Sequence, residues 1–379
     1  MVSTLFYLSL TSDWGHGAKE LCCMKVYIDF SIIPKTVFKF NPSSSYSREA
    51  LIEHYLFASH PYHLNDLMDG TFYLMDMRGI TSNLYNEIKR QIVEQAPLIV
   101  EGVQFNQMCP EIDTDRKILQ KGICDSFFCF GGIVSLTAQN RFNELLWSHY
   151  THETGYMVEF DTQILIESIA NNNFNVSTFK ELFFKPICYK EHPVSLSCAK
   201  CPNVQILNLF NATQKCKEWS YEKEWRLIAT SCPFLGLPKN NIVDDKYTDV
   251  SKRKLYYDIT AIKRIYLGKK FWVEHIEYMK EVSKTVDLYV VKRELIPFIR
   301  LLKDFQGEVY VSASCDCGEF RFGTDECVYD TNKGQYIFEP EYYYLTRSFE
   351  KIKNISIDDN MVIVEYEGLM KTRNEEFNS

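Results

Sequence analysis

The segment 217–228 (KEWSYEKEWRLI) carries the acidic and basic residues whose spacing best suits chemistry. Glu222 and Glu224 are separated by one residue, and Arg226 follows two residues later. On a β-strand these three side chains lie on one face, with successive members about 6.6 Å apart. One fixed carboxylate can then stabilise a positive charge developing on a substrate, and the second can orient or deprotonate an acceptor. A second interpretation stays open, because on a helix Glu222 and Arg226 form an ordinary ion pair on a solvated face.

Two further segments combine aromatic and ionisable residues. The first is 145–160 (LLWSHYTHETGYMVEF), where His149 or Tyr150 can line a ligand cleft or can belong to a buried aromatic helix. The second is 57–69 (FASHPYHLNDLMD), where Asn65 and Asp66 either serve a site or satisfy the backbone of a turn. Both segments therefore supply candidate binding residues together with a structural alternative.

Metal chemistry has weaker support in the sequence. Two groups of three cysteines have partial zinc spacing: Cys198, Cys201 and Cys216, and Cys315, Cys317 and Cys327. Each group lacks a well-spaced fourth ligand, which a structural zinc site requires. A metal-dependent nuclease or hydrolase using His60 and His63 with nearby aspartates is the weakest alternative, since no wider ligand pattern accompanies them. We therefore predict no metal.

Composition limits the class of protein that holds these residues. The chain has 379 residues, of which 46% are hydrophobic and 15% aromatic, enough to bury a core. The net charge of −8 disfavours nucleic-acid binding through phosphates as the main activity. No window of eighteen apolar residues predicts a membrane span. Thirteen cysteines without a signal peptide predict reduced thiols and a cytoplasmic location.

The elements that must position the candidate residues mix strands and helices. Predicted strands cover 36–40, 55–59, 133–136, 155–160, 263–267 and 286–291. Predicted helices cover 47–52 with Ser47 as N-cap, 82–94, 116–120, 143–150, 162–170 after a capping Asp161, and 272–284. As a strand, 217–228 also places Ser220 on the acidic face and an aromatic anchor on the other face, formed by Trp219, Tyr221 and Trp225.

The sequence also predicts that the chain is divided into three parts. Residues 1–23 are expected to form an N-terminal extension, and residues 24–297 the core. A small β-rich appendage is expected over 298–379, where the composition changes and Met361 begins an alternating run.

The order of motifs resembles a bacterial family known as domain of unknown function 2971. The motifs are Phe38-Lys39-Phe40, Ser59-His60-Pro61 with Asn65-Asp66, Ser135-Leu136-Thr137, Trp147-Ser148-His149-Tyr150 with Gly155-Tyr156, Trp219 to Arg226, and Ile262 to Gly268. The resemblance covers roughly residues 36 to 295. It departs from the family at Leu64-Asn65-Asp66-Leu67, where a Phe-Asn-Asp-Pro loop is usual.

The element order is also similar to the ADP-ribosyltransferase fold, an analogy that implies an α+β protein with a split mixed β-sheet and flanking helices. That class binds NAD in a cleft between two short sheets. The resemblance implies Glu222 and Glu224 as catalytic residues, and it implies NAD as substrate. The implied cofactor-binding residues are Lys39, Ser59, Asn65, His149, Tyr150 and Arg226. Lys39 is the least typical of these, because the class more often uses Arg or His there.

The implied function is an NAD-cleaving enzyme, either an ADP-ribosyltransferase or an NAD glycohydrolase, serving as a bacterial toxin or anti-phage effector. A macromolecular acceptor, protein or nucleic acid, and a restraining partner or antitoxin are expected partners, and a membrane is not. The main alternative is a non-catalytic module that senses a nucleotide or a phage protein.

Overall fold

The computed structural model describes most of the chain between residues 33 and 369. The described residues are 6–7, 25–28, 33–61, 64, 66, 74–95, 116–120, 122–123, 131–139, 141–173, 181–192, 194–230, 251–313, 327–330, 335–338 and 348–369. Asn65, Cys315 and Cys317 lie outside them.

Short and medium strands dominate the described residues. The first thirteen are β1 Phe6–Tyr7, β2 Lys25–Ile28, β3 Thr36–Asn41, β4 Tyr55–Phe57, β5 Met75–Asp76, β6 Gly131–Thr137, β7 Tyr156–Asp161, β8 Glu181–Pro186, β9 Cys188–Lys190, β10 Leu196–Ser197, β11 Gln214–Cys216, β12 Glu224–Thr230 and β13 Lys254–Tyr256. The later ones are β14 Ile262–Leu267, β15 Ile276–Ser283, β16 Val286–Val291, β17 Glu308–Ala313, β18 Cys327–Asp330, β19 Gln335–Phe338, β20 Ser348–Asp358 and β21 Met361–Leu369.

Helices alternate with these strands. They are α1 Ser45–Ile52, α2 Ser82–Gln95, α3 Glu144–Leu146, α4 Thr162–Asn173, α5 Val204–Asn211, α6 Phe271–His275 and α7 Ile296–Asp304. Residues 116–120 are also helical. A π-helical turn, Trp147–Thr151, continues α3, and a 3₁₀ turn, Lys217–Glu222, precedes β12. Further 3₁₀ turns cover Ser251–Arg253, Ile259–Ala261 and Arg293–Leu295. The predicted α+β class is confirmed.

The chain divides into two compact units. The first comprises Met1–Phe40, Ser44–Arg141 and Val158–Lys263, and the second Asn41–Ser43, Phe142–Met157 and Arg264–Ser379. This division differs from the predicted boundaries, which separated 24–297 from 298–379.

The first unit is built on a mixed sheet with strand order β1-β2-β8-β12-β6-β3-β7. The β2–β8 pair is parallel, whereas β12 runs antiparallel to both β8 and β6. β12 is therefore a central strand, hydrogen-bonded on both edges. Its backbone groups are paired on both sides, and its side chains project alternately from the two faces of the sheet.

Helices α2 and α5 cover part of this sheet. Tyr85, Ile88 and Ile92 recur on α2 at helical spacing, and all three are buried. They pack in one apolar cluster with Leu207 of α5 and with Ile133 of β6. Burial of this stripe holds α2 in place, because an isolated helix of its length is marginal in water.

The second unit has the strand order β14-β17-β20-β21-β16-β15. β14 and β17 are parallel, and the remaining neighbours are antiparallel. Trp272 of α6 stacks on Tyr289 of β16 with ring centroids 4.5 Å apart. Gly155 packs directly on the carbonyl oxygen of Asn41, where any Cβ would collide. The glycine of the Gly-Tyr motif is thus required by this close approach.

Two predicted elements differ in the structure. The predicted helix 272–284 is wrong: α6 ends at His275, and the residues that follow form β15, which pairs antiparallel with β16. Pairing with β16 decides that this segment is a strand, because strand formation depends on packing against a neighbouring strand. The N-cap of α1 is Ser44, whose side chain accepts a hydrogen bond from the Ser47 amide, so Ser47 lies within the helix.

Candidate functional site

β12 places Glu224 and Arg226 on the same face, as the sequence predicted. Glu224 lies opposite Thr137 of β6, and Arg226 lies opposite Ser135. Trp225 between them points to the other face and packs against Phe184 with centroids 4.9 Å apart. The two charged side chains are both buried and the tryptophan is only half-buried. The polar face is therefore the more enclosed one.

Glu222 is not on the strand, which corrects the prediction of four residues sharing one strand face. It ends the 3₁₀ turn Lys217–Glu222, and Lys223 then adopts a left-handed conformation with φ 43°. This conformation is uncommon for residues other than glycine. Ser220 is exposed as a result, while Glu222 points inward and its carbonyl accepts a hydrogen bond from Thr137 Oγ1.

The turn also displaces two residues of the predicted aromatic anchor. Trp219 and Tyr221 lie in the 3₁₀ turn, are half-buried, and pack together with centroids 6.3 Å apart. Only Trp225 keeps the predicted strand position.

A lysine that the sequence analysis did not select joins the two glutamates. Lys215 Nζ is 2.7 Å from Glu222 Oε2 and 2.9 Å from Glu224 Oε2. Arg226 holds Glu224 through two contacts, Nε to Oε1 at 2.7 Å and Nη2 to Oε2 at 3.3 Å. Its Nη1 donates to the carbonyl oxygen of Ala212 at 2.7 Å. We call these four residues, Lys215, Glu222, Glu224 and Arg226, the buried network.

All four side chains of the buried network are at most 4% exposed. Burial by itself would raise the pKa of Glu224, but Arg226 and Lys215 outweigh it and hold this pKa at about 2. Burial likewise would lower the pKa of Lys215, yet Glu224 and Glu222 raise it above its ordinary value. Glu224 therefore stays ionised at neutral pH although it is shielded from water.

Lys39 lies on β3, the first strand predicted from the sequence, and approaches the network from there, as predicted. Its Nζ donates to the carbonyl oxygen of Ser135 at 3.2 Å. Burial lowers the pKa of Lys39 to about 8, and the charge of Glu224 partly offsets this. A hydrogen bond from Ser135 also contributes to the low pKa of Glu224. Two predicted residues from distant parts of the sequence, Lys39 and Glu224, thus interact electrostatically.

Tyr189 of β9 completes the described surroundings of Glu224. Its hydroxyl oxygen accepts a hydrogen bond from the Glu224 amide at 2.8 Å, and burial raises its pKa. No local pattern marks Tyr189 or Lys215 in the sequence, because their partners lie 7 or more residues away at spacings unrelated to helix or strand periodicity. The parallel pairing of β9 with β11 sets Tyr189 opposite Lys215.

The other predicted residues have separate positions. Ser59 pairs with Ile133 of β6 through two backbone hydrogen bonds, of 2.8 and 2.9 Å, and so lies two residues along β6 from Ser135. Asn65 lies outside the described residues. His149, which is exposed, and Tyr150, which is half-buried, belong to the second unit and lie in its π-helical turn. Their role in binding NAD stays a prediction.

Two general properties concern the described part of the chain only. Within it, no three His, Cys, Asp or Glu residues are grouped so that they could hold a metal ion. None of the helices there is long and apolar enough to cross a membrane.

The comparison with protein families gives one match. Residues 146–227 match the model of DUF2971, described as a protein of unknown function. The match supports the predicted resemblance over these residues and is shorter than the expected range, but it contains the Trp-Ser-His-Tyr and Gly-Tyr motifs and the acidic segment. No curated protein and no solved structure matches the chain.

Proposed function

We propose that this chain, a member of the DUF2971 family by its residues 146–227, is an NAD-cleaving enzyme in which Glu224 is the principal catalytic carboxylate. One observation carries the proposal. An ionised carboxylate is held in a buried site of the first unit, next to a lysine of the opening strand.

The chemistry requires such a carboxylate. Cleavage breaks the bond between ribose C1′ and the nicotinamide nitrogen, whose electron pair leaves with nicotinamide, and positive charge builds on the sugar. A fixed anion beside C1′ and away from bulk water stabilises positive charge on the sugar more than it stabilises the ground state, in which that charge lies on the nicotinamide ring. The new bond at C1′ then forms to water in hydrolysis, or to an acceptor nucleophile in transfer, with release of a proton. Glu222 is assigned to orient that nucleophile, and Lys39 to contact an anionic part of NAD.

Access of NAD to the two glutamates depends on the 3₁₀ turn. Glu222 and Glu224 are 3% and 4% exposed, so NAD reaches them only when the turn Lys217–Glu222 moves. Ser220 and Lys223 are exposed on this turn, which leaves it open to solvent on one side. Movement of short surface segments over active sites is common in enzymes.

The direct test is to measure, by chromatography, the release of nicotinamide from NAD by the purified protein. The variant Glu224→Gln is expected to lower the rate at least about 10²-fold, as removal of one stabilising group does in other enzymes. Glu49→Gln, at an exposed glutamate of α1, is the matched control and should keep the wild-type rate. Because Glu224→Gln can also disturb folding, Glu224→Asp, which keeps the charge but withdraws it by one methylene, is measured as well. No nicotinamide release by the wild type, or full activity in both Glu224 variants, refutes the proposal.

A second candidate, a nucleotide-binding module without turnover, has its own support. Glu224 is already neutralised by Arg226 and Lys215 in the interior, an arrangement that also suits a structural role that keeps a binding site rigid without catalysis. Calorimetry that detects NAD binding without nicotinamide release favours this candidate. The acceptor class and the toxin or defence role stay predictions.

A further inference from the structure

We infer that Lys215 is the positioning residue that keeps Glu222 and Glu224 ionised together and fixes their geometry. The inference deepens the proposed function and rests on it for its catalytic consequence, but its electrostatic part is independent of any activity. It begins from the distances. A single ammonium group lies within 2.9 Å of one oxygen from each carboxylate, and these oxygens therefore lie close to one another.

Two carboxylates this close repel each other strongly when water is excluded. Lys215 is 2% exposed and the glutamates 4%, so solvent screens little of this repulsion. Without a cation between them, one carboxyl group of such a pair takes up a proton, as happens generally in close carboxylate pairs. The lysine thus converts a pair that would share a proton into two separate anions.

The partners of each glutamate decide which one would take the proton. Glu224 keeps its two-contact interaction with Arg226 when Lys215 is removed. Glu222 loses its ion pair with Lys215, in which Nζ lies 2.7 Å from Oε2. Because Glu224 retains its two contacts with Arg226, we expect Glu222 to be the carboxyl group that takes up a proton when the ammonium is lost. The titratable and charged groups described around the pair are Lys39, Tyr189, Lys215, Tyr221 and Arg226.

Lys215 is itself fixed by more than its ion pairs. Its Nζ lies 5.0 Å from the centroid of the Trp219 ring, which belongs to the 3₁₀ turn that carries Glu222. A cation–π contact of this kind adds to the attraction between the lysine and the turn. Lys215 therefore links β11 to both the turn and β12, and its loss is expected to displace Glu222 as well as protonate it.

The test follows the glutamate carboxyls by ¹³C NMR across pH 4 to 9 in the wild type, in Lys215→Met and in Lys215→Arg. Lys215→Met preserves most of the side-chain volume and removes the charge. We expect one carboxyl resonance, assigned by comparison with Glu222→Gln, to titrate with a pKa raised by about 2 units or more. Lys215→Arg is expected to restore the wild-type titration. The matched control is Lys254→Met, because Lys254 also bridges two glutamates but at the surface.

The same variants are assayed for nicotinamide release. If the wild type cleaves NAD, Lys215→Met is expected to lower kcat by about 10²-fold with little change in KM and to shift the acidic limb of the pH profile upward. A wild type without activity refutes the proposed function, while the NMR titration still tests Lys215. An unchanged carboxyl titration and pH profile in folded Lys215→Met overturns the inference about Lys215, even in an active enzyme.

Discussion

Two lysines of the first unit each bridge a pair of glutamates, one in the interior and one at the surface. The buried triad is Lys215 with Glu222 and Glu224, and the exposed triad is Lys254 with Glu49 and Glu53. Their distances are nearly equal, 2.7 and 2.9 Å in the first and 3.0 and 2.9 Å in the second. Each lysine also lies over an aromatic ring, that of Trp219 or that of Tyr55.

The triads differ in their access to water. The lysine is 2% exposed in the buried triad and 21% in the exposed one, where the glutamates are almost half exposed. Charges in water are screened and already hydrated, so the exposed triad contributes little to stability. In the interior the same contacts have to offset a large desolvation penalty, and loss of one partner leaves charges that nothing compensates. Equal geometry therefore does not mean equal energetic or chemical importance.

The largest expected effect is on the free energy of unfolding when each triad loses its lysine. Lys215→Met should lower the free energy of unfolding by about 3–5 kcal/mol, because two buried carboxylates lose their shared cation. Lys254→Met should lower it by no more than about 1 kcal/mol. Urea denaturation followed by circular dichroism measures both. Equal losses in the two variants would show that burial does not distinguish the triads.

A smaller effect is expected in acid. The pKa of Glu224 is depressed to about 2 in the folded protein, from an ordinary value near 4.5. Its contribution to stability is therefore present above about pH 4.5 and is lost as the pH falls toward 2. Wild-type protein should lose on the order of 2 kcal/mol over this range that Glu224→Gln does not lose.

The pKa of Glu49 is lowered as well, through its hydrogen bond with Lys254, but its surroundings are exposed. Glu49→Gln should therefore change the acid dependence much less than Glu224→Gln. Unfolding measured at several pH values from 2.5 to 7 compares the two variants. If the free energy of unfolding depended on pH identically in the wild type and in Glu224→Gln, that result would contradict the depressed pKa of Glu224.

The smallest effect concerns salt. Raising the ionic strength from about 0.05 to 1 M shortens the screening length to about 3 Å and weakens the exposed triad. The stability difference between wild type and Lys254→Met should then shrink by a few tenths of a kcal/mol. The difference between wild type and Lys215→Met should remain nearly unchanged, because solvent ions do not reach the buried triad. A shift of similar size in both would mean that ions reach the interior lysine.

Local patterns predicted several elements of the first unit. The predicted strands 36–40, 133–136 and 155–160 correspond to β3, β6 and β7, and the predicted helix 82–94 corresponds to α2 almost to the residue. The segment 276–283 falls in the predicted helix 272–284, which stands between the predicted strands 263–267 and 286–291. Only the pairing with β16 settles it as a strand.

The candidate site was predicted in part. Glu222, Glu224, Arg226 and Lys39 do come together, because β12 and β3 both flank β6. Lys215 and Tyr189 were missed, since their relation to Glu224 depends on the pairing of β9 with β11 and on the left-handed conformation of Lys223. A left-handed lysine has no sequence signature comparable to that of glycine.

The sequence by itself determined the mixed architecture and the polar face of β12, because residue types and their alternation reflect which side chains a strand can bury. Only the tertiary structure decided that both glutamates are buried and share one lysine. Burial and ion pairing depend on which strands become neighbours, and that choice is made by long-range packing rather than by any local run of residues.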